Sequence, residues 1–150
     1  MKIKSSEFEN NAVIPERFSQ NGENRSPPLD FIDVPAGAQS LVLIMDDPDA
    51  PRGTFTHWVV FNIDANTSGF HENRVPKDVQ HGLNDYHKPA YAGPKPPYGE
   101  HRYFFHLYAL DRTLDLPDGA NRDDVERAMK GHVVSETELI ARYATPVTAR

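Results

Sequence analysis

A chain of 150 residues, 38% of them hydrophobic and 25% charged, has the make-up of an ordinary globular protein and reads as one domain over residues 1–150. Its net charge of -6, with no Lys/Arg-dense patch, argues against a nucleic-acid partner, and with Cys 0 there can be no disulfides, thiolate metal sites or cysteine nucleophiles. No run approaches the ~20 apolar residues of a transmembrane segment, and no apolar signal core follows the first seven residues, so a cytoplasmic location is expected.

Residues 1–40 place Phe8, Val13, Ile14 and Phe18 among polar positions and read as short strands broken by turns. Pro27 and Pro28 belong at a strand entrance or an edge, because proline has no ladder N–H to give. Residues 41–45 are apolar at every position, the pattern of a central strand covered from both sides. A second strand follows over 57–63, with His57, Val59, Phe61 and Ile63 assigned by alternation to one face and Trp58 and Val60 to the other. Residues 75–98 lack periodicity. Their Tyr91, Pro94, Pro96, Pro97 and Tyr98 predict a stiff, ordered loop.

The third strand spans 101–110, with His101, Tyr103, Phe105, Leu107 and Ala109 on one face. Asn121 then caps a helix carrying Val125, Ala128 and Met129 that ends at Gly131. Residues 135–138 read as a capping box, with Val134 and Leu139 as a hydrophobic staple, and predict a second short helix to about Tyr143. Strands first and helices last give a mainly β protein, expected as a two-sheet antiparallel β-sandwich with two short peripheral helices near the C-terminus.

Asp47, Asp49, His57 and His101 each stand at the end of a strand-like run beside a turn-rich segment, and are the residues expected to meet. Imidazoles donate hydrogen bonds to a phosphate or carboxylate, and a neighbouring carboxylate holds such a ring in a donating state. The aspartates would repel an anion unless a histidine, a proton or backbone donors near Ala92 and Gly93 offset them. A plainer reading stands beside this one: Asp46, Asp47 and Asp49 around Pro48 are good turn formers, and His57 alone fits a satisfied strand-end histidine. His71, His81, His87, His106 and His132 have no carboxylate motif attached and read as surface or structural. No Gly-x-Ser-x-Gly elbow, phosphate-cradling glycine loop or His-Glu-x-x-His pair is present. Two His and two Asp could hold a divalent metal with an open position, so a metal-dependent hydrolase is the competing reading. The spacing Asp-Pro-Asp-Ala-Pro disfavours it, since the prolines restrict how the carboxylates converge, and neither metal nor cofactor is expected.

Five stretches carry a family likeness: Ser26-Pro27-Pro28-Leu29, Asp46-Asp47-Pro48-Asp49-Ala50-Pro51, Thr56-His57-Trp58-Val59, the segment 93–103, and Gly131-His132-Val133. Together they resemble the phosphatidylethanolamine-binding protein family, in particular its bacterial and archaeal Raf-kinase-inhibitor-like branch. The resemblance implies a two-sheet β fold with a small pocket for a phosphate-like anion or a phospholipid head group, no catalytic activity, and kinase or protease inhibition in some members. By motif, Asp47 and His57 are implied as one pocket wall and Gly93, Pro94, His101 and Tyr103 as the other. Asp49 and Pro51 would shape the loop, with Ala50-Pro51 the candidate for a cis bond. Phe31 departs from the tryptophan of many relatives, His87 stands where a glycine is commoner, and a C-terminal extension of the kind that helps cover the pocket in eukaryotic relatives is not expected. The expected protein is thus a non-enzymatic binding protein whose protein partner would be a kinase or a protease, with a homodimer left open.

Overall fold

Alternating apolar residues in this chain recur over stretches long enough to pair, and the computed structural model, which describes residues 1–147, is built on two sheets. In chain order the elements are β1 (Lys2–Lys4), β2 (Ala12–Val13), a 3-10 turn (Glu16–Phe18), β3 (Leu29–Ile32), β4 (Ser40–Asp47) and β5 (Phe55–Asp64). Then come β6 (Gly69–Phe70), β7 (Gln80–His81), β8 (Glu100–Leu110), α1 (Arg122–Met129) and β9 (Val133–Ala144). The small sheet has the order β1-β3-β6 and the large one β2-β9-β8-β4-β5-β7. All pairings in both are antiparallel except that of β2, which lies parallel to β9.

β4 is buried at every position because it lies between β5 and β8 with both of its faces covered. On one side Leu41, Leu43 and Met45 share a core with Ile3, Leu29, Phe31 and Phe70 of the small sheet. On the other, Val42 and Ile44 join Val59 and Phe61 beneath Leu114 and the Val125 and Met129 side chains of α1. Each such side chain stabilises the fold by roughly 1.5–3 kcal/mol when fully buried. The expected sandwich is therefore modified. The small sheet covers one face of the large one, while a helix and its preceding loop cover the other.

α1 begins as its sequence predicts, with the Asn121 side chain accepting from the Asp124 N–H at 2.8 Å. The second expected helix does not form, and residues 135–143 lie within β9. The stretch that suggests a helical stripe also alternates with a period of two, and Leu139, Ala141 and Tyr143 all enter the main core from one face of the strand. Pairing with β8 runs from Glu100↔Ala144 to Leu110↔Val133 and supplies backbone partners along the whole strand. Against that, a capping interaction worth about 1 kcal/mol loses.

Two irregularities in the β4–β5 register decide where β5 points its side chains. Met45 pairs with Trp58 but Asp46 with Thr56, so His57 is an extra residue on β5, and a second shift falls between Leu41↔Ile63 and Leu43↔Val60, beside Asn62 at φ 52. Each such bulge turns the alternation over. His57 therefore faces the same side as Trp58, with its ring 5.3 Å from that of Tyr103, instead of sharing a face with Val59 and Phe61. The Ile63 side chain likewise returns to the main core. No cis peptide bond occurs among the described residues, so Ala50-Pro51 is trans.

The long loop before β8 is pinned by its own polar groups. Asn84 accepts from the Tyr86 N–H at 2.8 Å and donates to the Ala90 carbonyl at 2.9 Å. Asp85 accepts from the Thr56 N–H at 2.7 Å, and the Tyr91 hydroxyl donates to the Phe18 carbonyl at 2.7 Å.

Candidate functional site

Because β4 runs antiparallel to both β5 and β8, its last residues meet the first residues of those strands. Asp47, Phe55, His57, His101 and Tyr103 converge there, and the loop residues Tyr86, Lys95, Pro96 and Pro97 close over them with Ala50 and Pro51. The cavity they form is half open to solvent and has a volume of about 190 Å³.

Of the residues expected from sequence, Asp47, Pro51, His57, His101 and Tyr103 line this cavity. Asp49 stands outside it, accepting from the Arg102 backbone N–H and from its guanidinium, each at 2.9 Å. Gly93 and Pro94 also stand outside it. The Gly93 N–H donates to Asn24 Oδ1 at 2.7 Å, and the Gly93 and Pro94 carbonyls accept from Gln20. The Ala92 N–H donates to the His57 carbonyl at 3.2 Å, so the backbone donors expected for an anion near Ala92 and Gly93 are already engaged. Phe55, Tyr86 and Lys95 were missed. The available signal was that Lys95 lies in the proline-rich stretch immediately before the strand that carries His101.

Asp47 is 3% exposed, and both of its oxygens are used: Oδ2 accepts from His101 Nδ1 at 2.6 Å and Oδ1 from the Asp49 N–H at 2.8 Å. The second contact is a side-chain turn, so Asp47 forms a turn and lines the cavity at once. With Nδ1 directed at Asp47, His101 keeps Nε2 for the cavity. His57 is arranged similarly, its Nδ1–H donating to the Ala92 carbonyl at 2.8 Å, since a carbonyl can only accept. Burial pushes the His57 imidazole below its usual value, against the Ala92 carbonyl and the Asp47 charge, which favour the protonated ring. Burial, and then the Asp47 carboxylate, push the Tyr103 phenol far above its usual range, which keeps it a neutral hydroxyl. The Arg102 hydrogen bonds pull Asp49 down to about 2.

The depressed His57 value links stability to pH. The unfolded chain binds the His57 proton more readily than the folded one, so this residue costs nothing above about pH 6.5, and stability is lost as pH falls from there toward the folded-state value. Urea unfolding at pH 5.5 and 7.5 is expected to show a smaller difference in a His57→Gln variant than in the native chain. An equal difference in both would contradict the burial of a neutral imidazole.

Asp46 and Asp47, as neighbours on a strand, leave β4 on opposite faces. Behind the cavity, Asp46 accepts from Arg122 Nη1 at 2.7 Å and lies 3.2 Å from His106 Nε2. His106 and His132, read from sequence as surface or structural with no carboxylate motif attached, each have a carboxylate partner, the second through Asp111 at 2.9 Å. Strand register and a long-range turn contact supply what the local motif did not. Among the described residues no cluster of three or more His, Cys, Asp or Glu is arranged to hold a metal ion, and no helix is long and apolar enough to cross a membrane.

A sequence model of the phosphatidylethanolamine-binding protein family matches residues 4–144. The chain belongs to this family. It is similar to a UPF0098 protein of Methanothermobacter thermautotrophicus, 49% identical over 148 residues that cover 95% of this chain and 98% of the relative. A UPF0098 protein of Aquifex aeolicus is 44% identical over 150 residues, covering 95% of this chain and 88% of its own. A Chlamydia trachomatis crystal structure, described as that of a phosphatidylethanolamine-binding protein homolog, superposes with a TM-score of 0.93 at 37% identity over 97% of both chains. The E. coli family member YbcL shares the fold, with a TM-score of 0.89 at 24% identity over 97% of this chain and 98% of its own.

Proposed function

We propose that this phosphatidylethanolamine-binding family member is a non-enzymatic binding protein whose cavity accepts a phosphate-like anion or a phosphoryl head group. The observation that carries the reading is one half-open cavity shared by two imidazoles, one of them backed by a buried carboxylate, together with Lys95 and the Tyr103 hydroxyl. A protonated His101 would donate through Nε2 while Asp47 balances its charge, and the Lys95 ammonium adds a second cation. At about 190 Å³ the cavity has the volume of roughly six waters, which suits a tetrahedral oxyanion with a short substituent. In this reading the anion is the handle of a larger partner, for which the family resemblance points to a kinase or a protease.

Calorimetric titration with inorganic phosphate tests the reading. The native chain should bind, and His101→Ala should bind roughly 10- to 100-fold more weakly, as expected for losing a charged hydrogen bond. The variant should still unfold cooperatively, because His101 sits at the start of β8 and not in its middle. Unchanged affinity in that variant would remove His101 from the site.

A further inference from the structure

We infer that His57 makes the cavity selective for oxyanions that bring a proton of their own: hydrogen phosphate or the monoanion of a phosphate monoester, in preference to sulfate or a phosphodiester. The inference rests on the anion reading above and names the ligand class within it.

The starting point is the fixed orientation of one ring. His57 Nδ1 donates to the Ala92 carbonyl while the Ala92 N–H donates back to the His57 carbonyl, so ring and loop are held together from both ends. Turning the ring over would put a carbon against that carbonyl and leave it without its donor. The other nitrogen, Nε2, is bonded to no group of the described residues, is not sealed off from the cavity, and in a neutral ring presents a lone pair. Phe55, Tyr103 and Tyr86 surround the ring at centroid distances of 5.0, 5.3 and 6.4 Å. The charged and titratable groups that face this ring are Asp47 on β4, with Asp46 behind it, His101 and Tyr103 on β8, and Asp85, Tyr86 and Lys95 on the loop. The aspartates favour a protonated ring and burial opposes it more strongly.

A neutral acceptor on the wall repels a bare oxyanion oxygen and accepts from a P–OH. Asp47 beside it, itself an acceptor, acts in the same direction. A buried polar group left facing another acceptor typically costs binding by roughly 10- to 100-fold. Sulfate near neutral pH has no proton to offer, and a phosphodiester has none at any pH where it is charged. The monoanion of a phosphate monoester has one, which it loses with a pKa of about 6.

The decisive pair is methyl phosphate and dimethyl phosphate, compared by calorimetry at pH 5.5 and constant ionic strength, where both are largely monoanions and differ in the proton. Methyl phosphate is expected to bind at least about tenfold more tightly, by the cost of an unpaired acceptor. In His57→Gln, whose amide can donate as well as accept, the ratio should fall toward one. Equal affinities in the native chain overturn the selectivity and leave the anion reading standing, whereas failure of both ions and of inorganic phosphate to bind overturns both. Should His57→Gln not fold, the phosphate-to-sulfate affinity ratio of the native chain at pH 8.5 decides, because both ions are then largely dianions and only phosphate keeps a proton. His101 and Lys95 act on two dianions alike, so phosphate binding at least about tenfold more tightly than sulfate supports the inference, and equal affinities overturn it.

Discussion

Gly93→Ala is expected to lower the melting temperature by roughly 3–10 °C, corresponding to about 1–3 kcal/mol of overpacking in a chain of this size. An alanine Cβ at this position would lie 2.0 Å from the Phe18 carbonyl oxygen and 2.9 Å from Asn24 Oδ1. Phe18 is fully buried and its carbonyl already accepts from the Tyr91 hydroxyl, so it is the loop that must move. That movement reaches the cavity, because the preceding residue, Ala92, holds the His57 ring. Phosphate affinity should therefore fall along with stability, although Gly93 itself does not line the cavity. Gly37→Ala is the control: nothing lies within 4 Å of its added carbon, and its melting temperature should change little. Thermal unfolding followed by circular dichroism distinguishes the two. A Gly93→Ala chain as stable as the native one would mean that the loop does not pass so close to the 3-10 turn.

Arg122→Ala is expected to cost roughly 2–4 kcal/mol near neutral pH, because it removes one partner of a buried ion pair. Asp46 is 4% exposed, and its carboxylate is held by Arg122 at 2.7 Å and His106 at 3.2 Å. Burial alone would push the Asp46 carboxyl up, but His106 and Arg122 together outweigh it and hold the group below its usual value. His106 remains in the variant, which keeps the expected loss below that of a fully orphaned carboxylate. The sign of the pH dependence follows from the depressed value: the stabilisation is fully present above about pH 4 and is lost as pH falls through the folded-state value. The gap between native and variant chains in urea should therefore be largest near pH 7 and narrow toward pH 3. A gap below about 0.5 kcal/mol at pH 7 would place this pair among ordinary surface ion pairs.

The residues that could be read correctly are those whose environment is set by local pattern. Residues 41–45 are apolar on both faces and form a central strand, and Asn121 caps the helix its side chain favours. Asp47, His57 and His101 could be grouped because each ends or begins a strand, and antiparallel pairing brings such ends together. What could not be read depends on partners distant in sequence. The stretch 135–143 carries a helical start signal and a β alternation at once, and only the presence of β8 as a neighbour decides between them. The direction of His57 depends on a bulge that exists because β5 has one residue more than β4 needs there. Gly93 and Pro94 belong to a recognisable motif, yet they brace the cavity from behind through Gln20 and Asn24, residues with no apparent link to it in sequence.

The walls of the cavity are set before anything enters it. Pro51, Pro96 and Pro97 have backbone torsions restricted by their rings, and His57, His101 and Asp47 each already hold a hydrogen bond within the chain. Under the proposed reading, an arriving ion would meet a socket with few torsions left to freeze, and little of its interaction energy would go into ordering the protein. Exchange can be rapid without a closing lid, and discrimination between competing ions then rests on how quickly each one leaves.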